Sequence, residues 1–463
     1  MAAGRHAIVM GASMAGLGAA RALSNHFETV TVVERDILPG AAESRKGVPQ
    51  GNHAHGLLAT GYRVLDAYYP GLFDEVVAGG GMRGDVTGDF LWYQYGGWKL
   101  RAETGLAGII SSRVLLESRV RARTKAIANV RFLEGVDCEI PEHADGRVTG
   151  LRVTHRGSGA EELLQADLVV DTTGRGSQSP KWLKEWGYGD VPQTDIEINV
   201  GYATAVFDRR PGDLYASSGA IIAGTVPQAT RFAAILAMEG DRWMITLAGA
   251  LGDYPPTDFA GWMDFARALP TTDLVDMLAG REPIGDIISY RYPANRRRHY
   301  EHLARFPEGY VVLGDALCSF NPVYGQGMSV ALTEAKALDE CLAQGLDGVA
   351  GRFFARAKKI TESPWVIATG EDLKYPQVLG PRPRGFTLVN AYMARAHRAA
   401  TKDPVVLRRF FEVANLLAPP TAMMSPKIAW RVALGGRGKA QAKPVREGQQ
   451  PAREEAKEPA GVA

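Results

Sequence analysis

The 463-residue chain is long enough for two or more packed units, and its formal net charge of +2 supplies no basic field for nucleic acid or an anionic membrane. Its 3 cysteines, Cys138, Cys318 and Cys341, are scattered and odd in number, so no disulfide framework or metal-ligand spacing arises and a reducing cytoplasm is expected. No run reaches the roughly 18 apolar residues of a spanning helix, and the N-terminal apolar stretch lacks a cleaved-leader pattern.

Ala7 to Met10 is a short apolar run that reads as a buried parallel strand. Gly11 permits a tight turn out of it, and the Ala- and Leu-rich stretch from Met14 to Leu23 reads as a helix. The N-terminus of that helix, at Ser13, Met14 and Ala15, presents unpaired N–H groups and a positive dipole end suited to a pyrophosphate. Gly16 lets the helix approach the strand closely. Val30 to Val33 is a second strand; Glu34 ends it, with Arg35 beside it, about 20 residues beyond the glycines, where a carboxylate accepts ribose hydroxyls. Ser13 stands in place of the second glycine of G-x-G-x-x-G, and its hydroxyl can donate to a phosphate oxygen instead. Ala15 rules out the G-x-S-x-G elbow of a hydrolase.

A connection rich in Gly, Pro and charge, Leu38 to Asn52, leads to a helix from about Leu57 to Tyr69. Aromatic stretches such as Phe90 to Tyr93 read as strands, Ser112 to Ala128 as a helix, and Val130 to Leu133, Val148 to His155 and Glu162 to Leu164 as strands leading to Asp167–Asp171. Longer alternating strands follow: Ile198 to Phe207, Gly219 to Val226, Arg231 to Met238 and Trp243 to Ala248, with one helix from about Asp258 to Ala268. The run Arg296 to Arg298 reads as a solvated face with one salt bridge. Tyr310 to Leu313 and a helix from Gly327 to Gln344 return to nucleotide-domain character, and 351–433 is mainly helical. The expected division is a nucleotide-binding unit in three pieces (1–78, 111–190, 296–345), substrate-sheet segments at 79–110 and 191–295, a helical region at 346–434 and a disordered tail at 435–463. His53 and His55 make no metal set, and no metal is expected.

Val311 to Ala316 carries a Gly314-Asp315 pair after a strand, followed by Asn321-Pro322-Val323-Tyr324-Gly325-Gln326-Gly327-Met328 before a helix. With the first segment, this order and separation point to one FAD held by both ends of a split nucleotide domain. The chain resembles FAD monooxygenases of the aromatic-hydroxylase type, and within them squalene epoxidases and bacterial epoxidases of polyether-forming polyenes. The resemblance rests on Gly11–Gly16, Val30–Asp36, Arg45–Gln50 with His53-Ala54-His55, Asp171–Ser177, Ala294–Arg297 and Gly314–Ser329. It implies an α/β fold: a split FAD-binding Rossmann-like domain with an inserted, mainly antiparallel substrate sheet and C-terminal helices.

The resemblance further implies that Arg45 contacts the FAD phosphates, that Arg113 lies near the cofactor and that Asp315 accepts hydrogen bonds from the ribityl hydroxyls. Pro322, Gly325, Gly327 and Met328 would form the loop beside the flavin ring. The expected chemistry is oxygen transfer from O2, through a flavin C4a-hydroperoxide, to an alkene of an apolar terpenoid or polyene. Tyr202, Phe207, Ile222, Phe232 and Ile235 are the candidate pocket walls. Aromatic or aliphatic hydroxylation, prenyl-chain reduction and a non-enzymatic flavin-binding role stay open. A halogenase is disfavoured because Trp182 and Trp186 do not form its Trp-x-Trp-x-Ile-Pro stretch. Thr173 occupies the position of an aspartate that aromatic hydroxylases use in handling NAD(P)H, so NAD(P)H is expected to deliver electrons slowly by itself or through a flavin or ferredoxin-type reductase. Membrane association is not expected.

Overall fold

The computed structural model describes residues 3–438, so the tail beyond Gly438 lies outside the described residues. In chain order the elements begin with β1 (Gly4–Met10), α1 (Met14–Leu23), β2 (Phe27–Glu34), α2 (Ala59–Tyr68) and α3 (Leu72–Ala78). Next come β3 (Met82–Asp85), β4 (Phe90–Gln94), β5 (Gly97–Trp98), β6 (Ala107–Ile110) and α4 (Arg113–Lys125). Then follow β7 (Val130–Glu134), β8 (Val136–Ala144), β9 (Arg147–His155), β10 (Glu161–Gln165), β11 (Leu168–Asp171) and α5 (Ser179–Glu185). A second run holds β12 (Gln193–Asp208), β13 (Gly219–Ala223), β14 (Arg231–Met238), β15 (Arg242–Gly249), α6 (Phe259–Arg267), α7 (Asp273–Met277) and β16 (Ile288–Arg298). The chain closes with β17 (Tyr310–Val312), β18 (Cys318–Ser319), α8 (Gly327–Leu342), α9 (Val349–Asp372), α10 (Phe386–Ala399), α11 (Pro404–Ala414) and α12 (Pro426–Ala433).

Two sheets position the site. A parallel sheet runs β17-β11-β1-β2-β7, which places the first strand of the chain between β2 and β11, with β17 next to β11. Central β1 is buried on both faces, which is why Ala7 to Met10 is apolar without alternation. α1 and α8 both follow strands of this sheet, and their N-termini face one cavity. The second sheet has the order β18-β16-β12-β15-β14-β13-β4-β5 and is antiparallel except for the β13–β4 pair. This is the mixed α/β architecture expected, with its parallel nucleotide-type sheet, its inserted antiparallel sheet and its C-terminal helices.

Three features depart from the sequence reading. β8 goes unseen because its ladder with β9 is irregular around Pro141, which breaks the alternation. β16 extends through Arg298 and pairs with both β12 and β18, so the expected boundary at 295/296 falls inside one strand. The arginines at its end are not a solvated face. Arg296 pairs with Asp195, but Arg298 is buried and donates to the carbonyls of Ala316 and Arg175, and Arg297 is buried beside Glu301. Strand alternation sends successive guanidinium groups to opposite faces, and β18 and the turn after β17 cover one of them. Among the described residues, no helix is long and apolar enough to cross a membrane.

Candidate functional site

The nucleotide side is built from backbone. Gly11 adopts a positive φ of 99°, and a Cβ on Gly16 would lie 1.9 Å from the Gly11 carbonyl oxygen. That contact pins the start of α1 against the end of β1. Ser13 caps the helix without a side-chain hydrogen bond, so its hydroxyl and the first-turn N–H groups have no intrahelical partner. Ser13, Met14 and Ala15 line the cavity; Gly11 and Gly16 lie behind them and shape the turn.

Beside this turn sits a buried charge cluster. Glu34 accepts the Ala12 and Asp36 N–H groups at 2.8 and 3.0 Å and pairs with Arg45 at 3.1 Å. Arg45 also reaches Asp36, Glu117 and the Ala12 carbonyl. Burial alone would lower its pKa, but Glu34, Glu117 and Asp36 outweigh that and hold it as a cation. The expected approach of Arg45 to phosphate therefore needs correcting: three carboxylates claim its guanidinium, and it braces Glu34 and the turn after β1. Arg113, at the first position of α4, is bonded to Glu117 and does line the cavity. Arg35 is exposed and stands outside this group.

The opposite side is formed by the turn after β17 and by the loop into α8. Asp315 presents its carboxylate to the cavity while protein surrounds it; burial raises its pKa, and Arg113 and Arg175 oppose the rise. The loop from Pro322 to Met328 lines the same cavity. A Cβ on Gly327 would meet only the Asp315 carboxylate, at 3.7 Å, and one on Gly325 only the Gly56 backbone, at 3.9 Å or more. At Gly325 and Gly327 this wall is bare backbone, with the N-terminus of the 16-residue α8 behind it. Two cradles, each a strand end followed by a helix N-terminus, thus face one space, and they fit a dinucleotide such as FAD.

Asp372, at the end of α9, anchors the loop. It accepts Asn295 at 2.7 Å, Tyr324 at 2.8 Å and Asn321 at 3.2 Å. Burial pushes its carboxyl up to about 6 against those donors. Behind the loop, Glu334 accepts the Gly314 N–H at 2.7 Å and is pushed up to about 8 by burial, so it is largely neutral. Neither residue had a spacing signal in the sequence; both are helix positions made functional by what packs above them.

The cavity, about 1150 Å3, continues from these cradles to the eight-stranded sheet and the C-terminal helices. Tyr202 and Phe232 line it as expected, joined by Trp92, Tyr290, Phe410 and Met424. Phe207, Ile222 and Ile235 do not. They are fully buried on the other face of the sheet with Trp262 and Phe265 of α6. Period-2 alternation decides this: even residues of β12 and β14 face the cavity, and Phe207 and Ile235 are odd; on β13 the cavity side is Ile221 and Ala223.

His53 and His55 also line the cavity. His55 Nδ1 lies 2.8 Å from the His53 carbonyl, an atom that only accepts, so His55 keeps a lone pair on Nε2. Burial lowers His55 to about 3, helped by nearby Arg113, and lowers His53 to about 4; both are neutral at physiological pH. Thr173 gives its N–H and hydroxyl to Asp171, so no carboxylate projects into the cavity at that position.

No family model matches the chain. Among solved structures, the flavin-dependent brominase Bmp2 superposes with a TM-score of 0.67 at 12% identity, covering 93% of this chain and 98% of that one. PqsL of Pseudomonas aeruginosa, described as "a probable FAD-dependent monooxygenase", gives 0.59 at 18% identity over 80% of this chain and 97% of its own. The tetrameric 2-methyl-3-hydroxypyridine-5-carboxylic acid oxygenase gives 0.57 at 19% identity over 87% and 97%. These likenesses show that the chain shares the fold of these proteins. In sequence, Protein Rv3254 of Mycobacterium tuberculosis (strain ATCC 25618 / H37Rv) is 34% identical over 443 residues, 90% of this chain and 91% of that protein. At that identity and coverage, the chain belongs to the family of Rv3254.

Proposed function

We propose that this chain is an FAD-dependent monooxygenase that epoxidises an alkene of an apolar terpenoid or polyene. The observation that carries the reading is the single cavity, with a bare-backbone loop at Gly325–Met328 facing an apolar and aromatic wall. When bound, FAD supplies reductive activation of O2 and transfer of one oxygen atom. The first-turn amides of α1 and the Ser13 hydroxyl hold the pyrophosphate; Asp315 accepts ribityl hydroxyls; the N–H groups of Gly327 and Met328 offset negative charge on the ring carbonyl. Phe232, Trp92 and Phe410 exclude water and orient the alkene. Oxygen transfer to an alkene needs no proton removed from the substrate. The groups here suit that: His53 and His55 are weak bases, and Asp372 is saturated with donors.

A second reading, hydroxylation of an aromatic ring, is favoured by the His55 Nε2 lone pair, which could accept from a phenol. Mass and NMR analysis of products from a panel of polyenes and phenols separates the two. Epoxides from polyenes support the first; turnover of phenols alone replaces it.

The electron supply follows from Thr173. With no carboxylate there, NAD(P)H alone is expected to bleach the flavin slowly under anaerobic stopped-flow, and an added flavin reductase to raise turnover strongly. Rapid, saturable bleaching by NADPH without a partner would make the enzyme self-sufficient.

A further inference from the structure

His55 lines the cavity and is half-buried. Its Nδ1–H donates to the His53 carbonyl at 2.8 Å, so Nε2, on the far side of the ring, carries the lone pair. Among the described residues that lone pair has no partner, and unlike His53 Nε2 it is not sealed off by protein.

The backbone beneath this ring is held from two strands. His53 is buried with Nδ1 2.8 Å from the Thr204 hydroxyl of β12, and the Ala54 N–H donates to the Thr246 hydroxyl of β15 at 3.0 Å. Burial and the charge of Arg113 lower the His55 pKa to about 3, so Nε2 stays an acceptor at physiological pH. When a ligand displaces water from the cavity, this acceptor needs a donor from that ligand.

Its neighbours indicate which ligand. The segment that follows packs on the flavin-side loop: the Leu58 N–H donates to the Ser329 hydroxyl at 3.0 Å, and a Cβ on Gly325 would lie 3.9 Å from the Gly56 backbone. Arg113 lowers the pKa of both His55 and Asp315, and all three line the cavity, so they share one end of it. At that end Asp315 is proposed to take the ribityl hydroxyls and the α8 amides a ring carbonyl. Beside that carbonyl the flavin ring bears an N–H at N3, which it keeps in oxidised and reduced forms alike. Amides donate and cannot accept it, and the Asp315 carboxylate is engaged with the ribityl chain. We infer that His55 Nε2 accepts the flavin N3–H and so positions the ring against the loop from Pro322 to Met328. This rests on the FAD reading and not on which reaction follows. It also takes from a phenol the acceptor that the second reading needs.

The test loads nitrogen-15 histidine protein with FAD carrying nitrogen-15 at N3, and repeats this with His55→Leu and His55→Gln. In the parent, one histidine Nε2 should show scalar coupling to flavin N3 across the hydrogen bond, and the N3 proton should lie downfield of its place in free FAD. Both variants should lose the coupling. His55→Leu should bind FAD about tenfold more weakly, the scale of one hydrogen bond. His55→Gln, whose side-chain oxygen accepts, should regain part of that affinity and of the proton shift. Matching melting temperatures of the FAD-free proteins keep the affinities comparable. FAD bound to the parent without N3–Nε2 coupling would overturn the inference, as would unchanged affinity and N3 proton shift in His55→Leu. No uptake of FAD by the parent would overturn the FAD reading and this inference with it, so the two failures are told apart.

Discussion

The two walls of the cavity are made in different ways. The nucleotide wall uses backbone: two strand ends, two helix N-termini and glycines that let chain segments touch. The sheet wall uses side chains, and whether a residue reaches the cavity depends on one-residue alternation. The first kind of wall tolerates little change at a few positions. The second tolerates change on its cavity face but not on the face beneath it.

The largest effect should come from Gly16→Val. The new side chain would begin 1.9 Å from the Gly11 carbonyl oxygen, so α1 and β1 must separate. The variant is expected to retain no flavin by absorbance after gel filtration; normal flavin content would show that the turn after β1 does not hold the cofactor.

The two faces of the sheet give the next contrast. Phe207→Ala should cost about 3–5 kcal/mol in chemical denaturation, because it opens a cavity among fully buried neighbours. Phe232→Ala should leave stability nearly unchanged and raise KM for apolar substrates. If the two variants show the same pattern, the assignment of faces is wrong.

A pH-dependent effect of similar size is expected at Glu334. Its folded pKa is pushed from 4.5 up to about 8, so the folded state keeps a proton that the unfolded state releases. Stability should fall as pH rises from about 4.5 to about 8 and level off above. Glu334→Gln still offers an oxygen to the Gly314 N–H and lacks this loss. It should match the parent near pH 4.5 and exceed it at pH 8, on the order of 4 kcal/mol. Parallel pH profiles from urea midpoints would refute a buried neutral Glu334.

The smallest effect concerns the C-terminus. A stop after Gly438 should leave melting and turnover unchanged. A stop after Gly435 removes the Arg437 N–H that Asp403 accepts at 2.9 Å, and should cost roughly 1 kcal/mol. Equal melting of the two truncated chains would show that this contact carries no stability.

The same contrast explains what was legible in the sequence. Gly11, Gly16 and Gly314 stand at fixed offsets from strand ends, because a positive φ or a close backbone approach demands glycine there, whereas Glu34 is buried against Ala12, Asp36 and Arg45 and does not line the cavity. The fold class and both cradles could be read from the glycines. The sheet wall could not be apportioned, because β12 and β14 are apolar on both faces; Ala203 and Phe207 look no different from Tyr202 in pattern. For Arg45 the resemblance implies phosphate contact, while its three carboxylate partners, Glu34, Asp36 and Glu117, come together around it only in the fold. His53 and Asp372 acquire their meaning only from tertiary neighbours more than 45 residues away, Thr204 for one and Asn295 and Tyr324 for the other.

The most direct test of the account is turnover of a polyene panel by FAD-loaded protein, with a flavin reductase and NADPH, under isotopically labelled dioxygen. The account predicts a product heavier by one labelled oxygen atom with one alkene signal lost. A product that gains two hydrogens, oxygen drawn from water, or no product from any polyene or phenol while the flavin still cycles would contradict it.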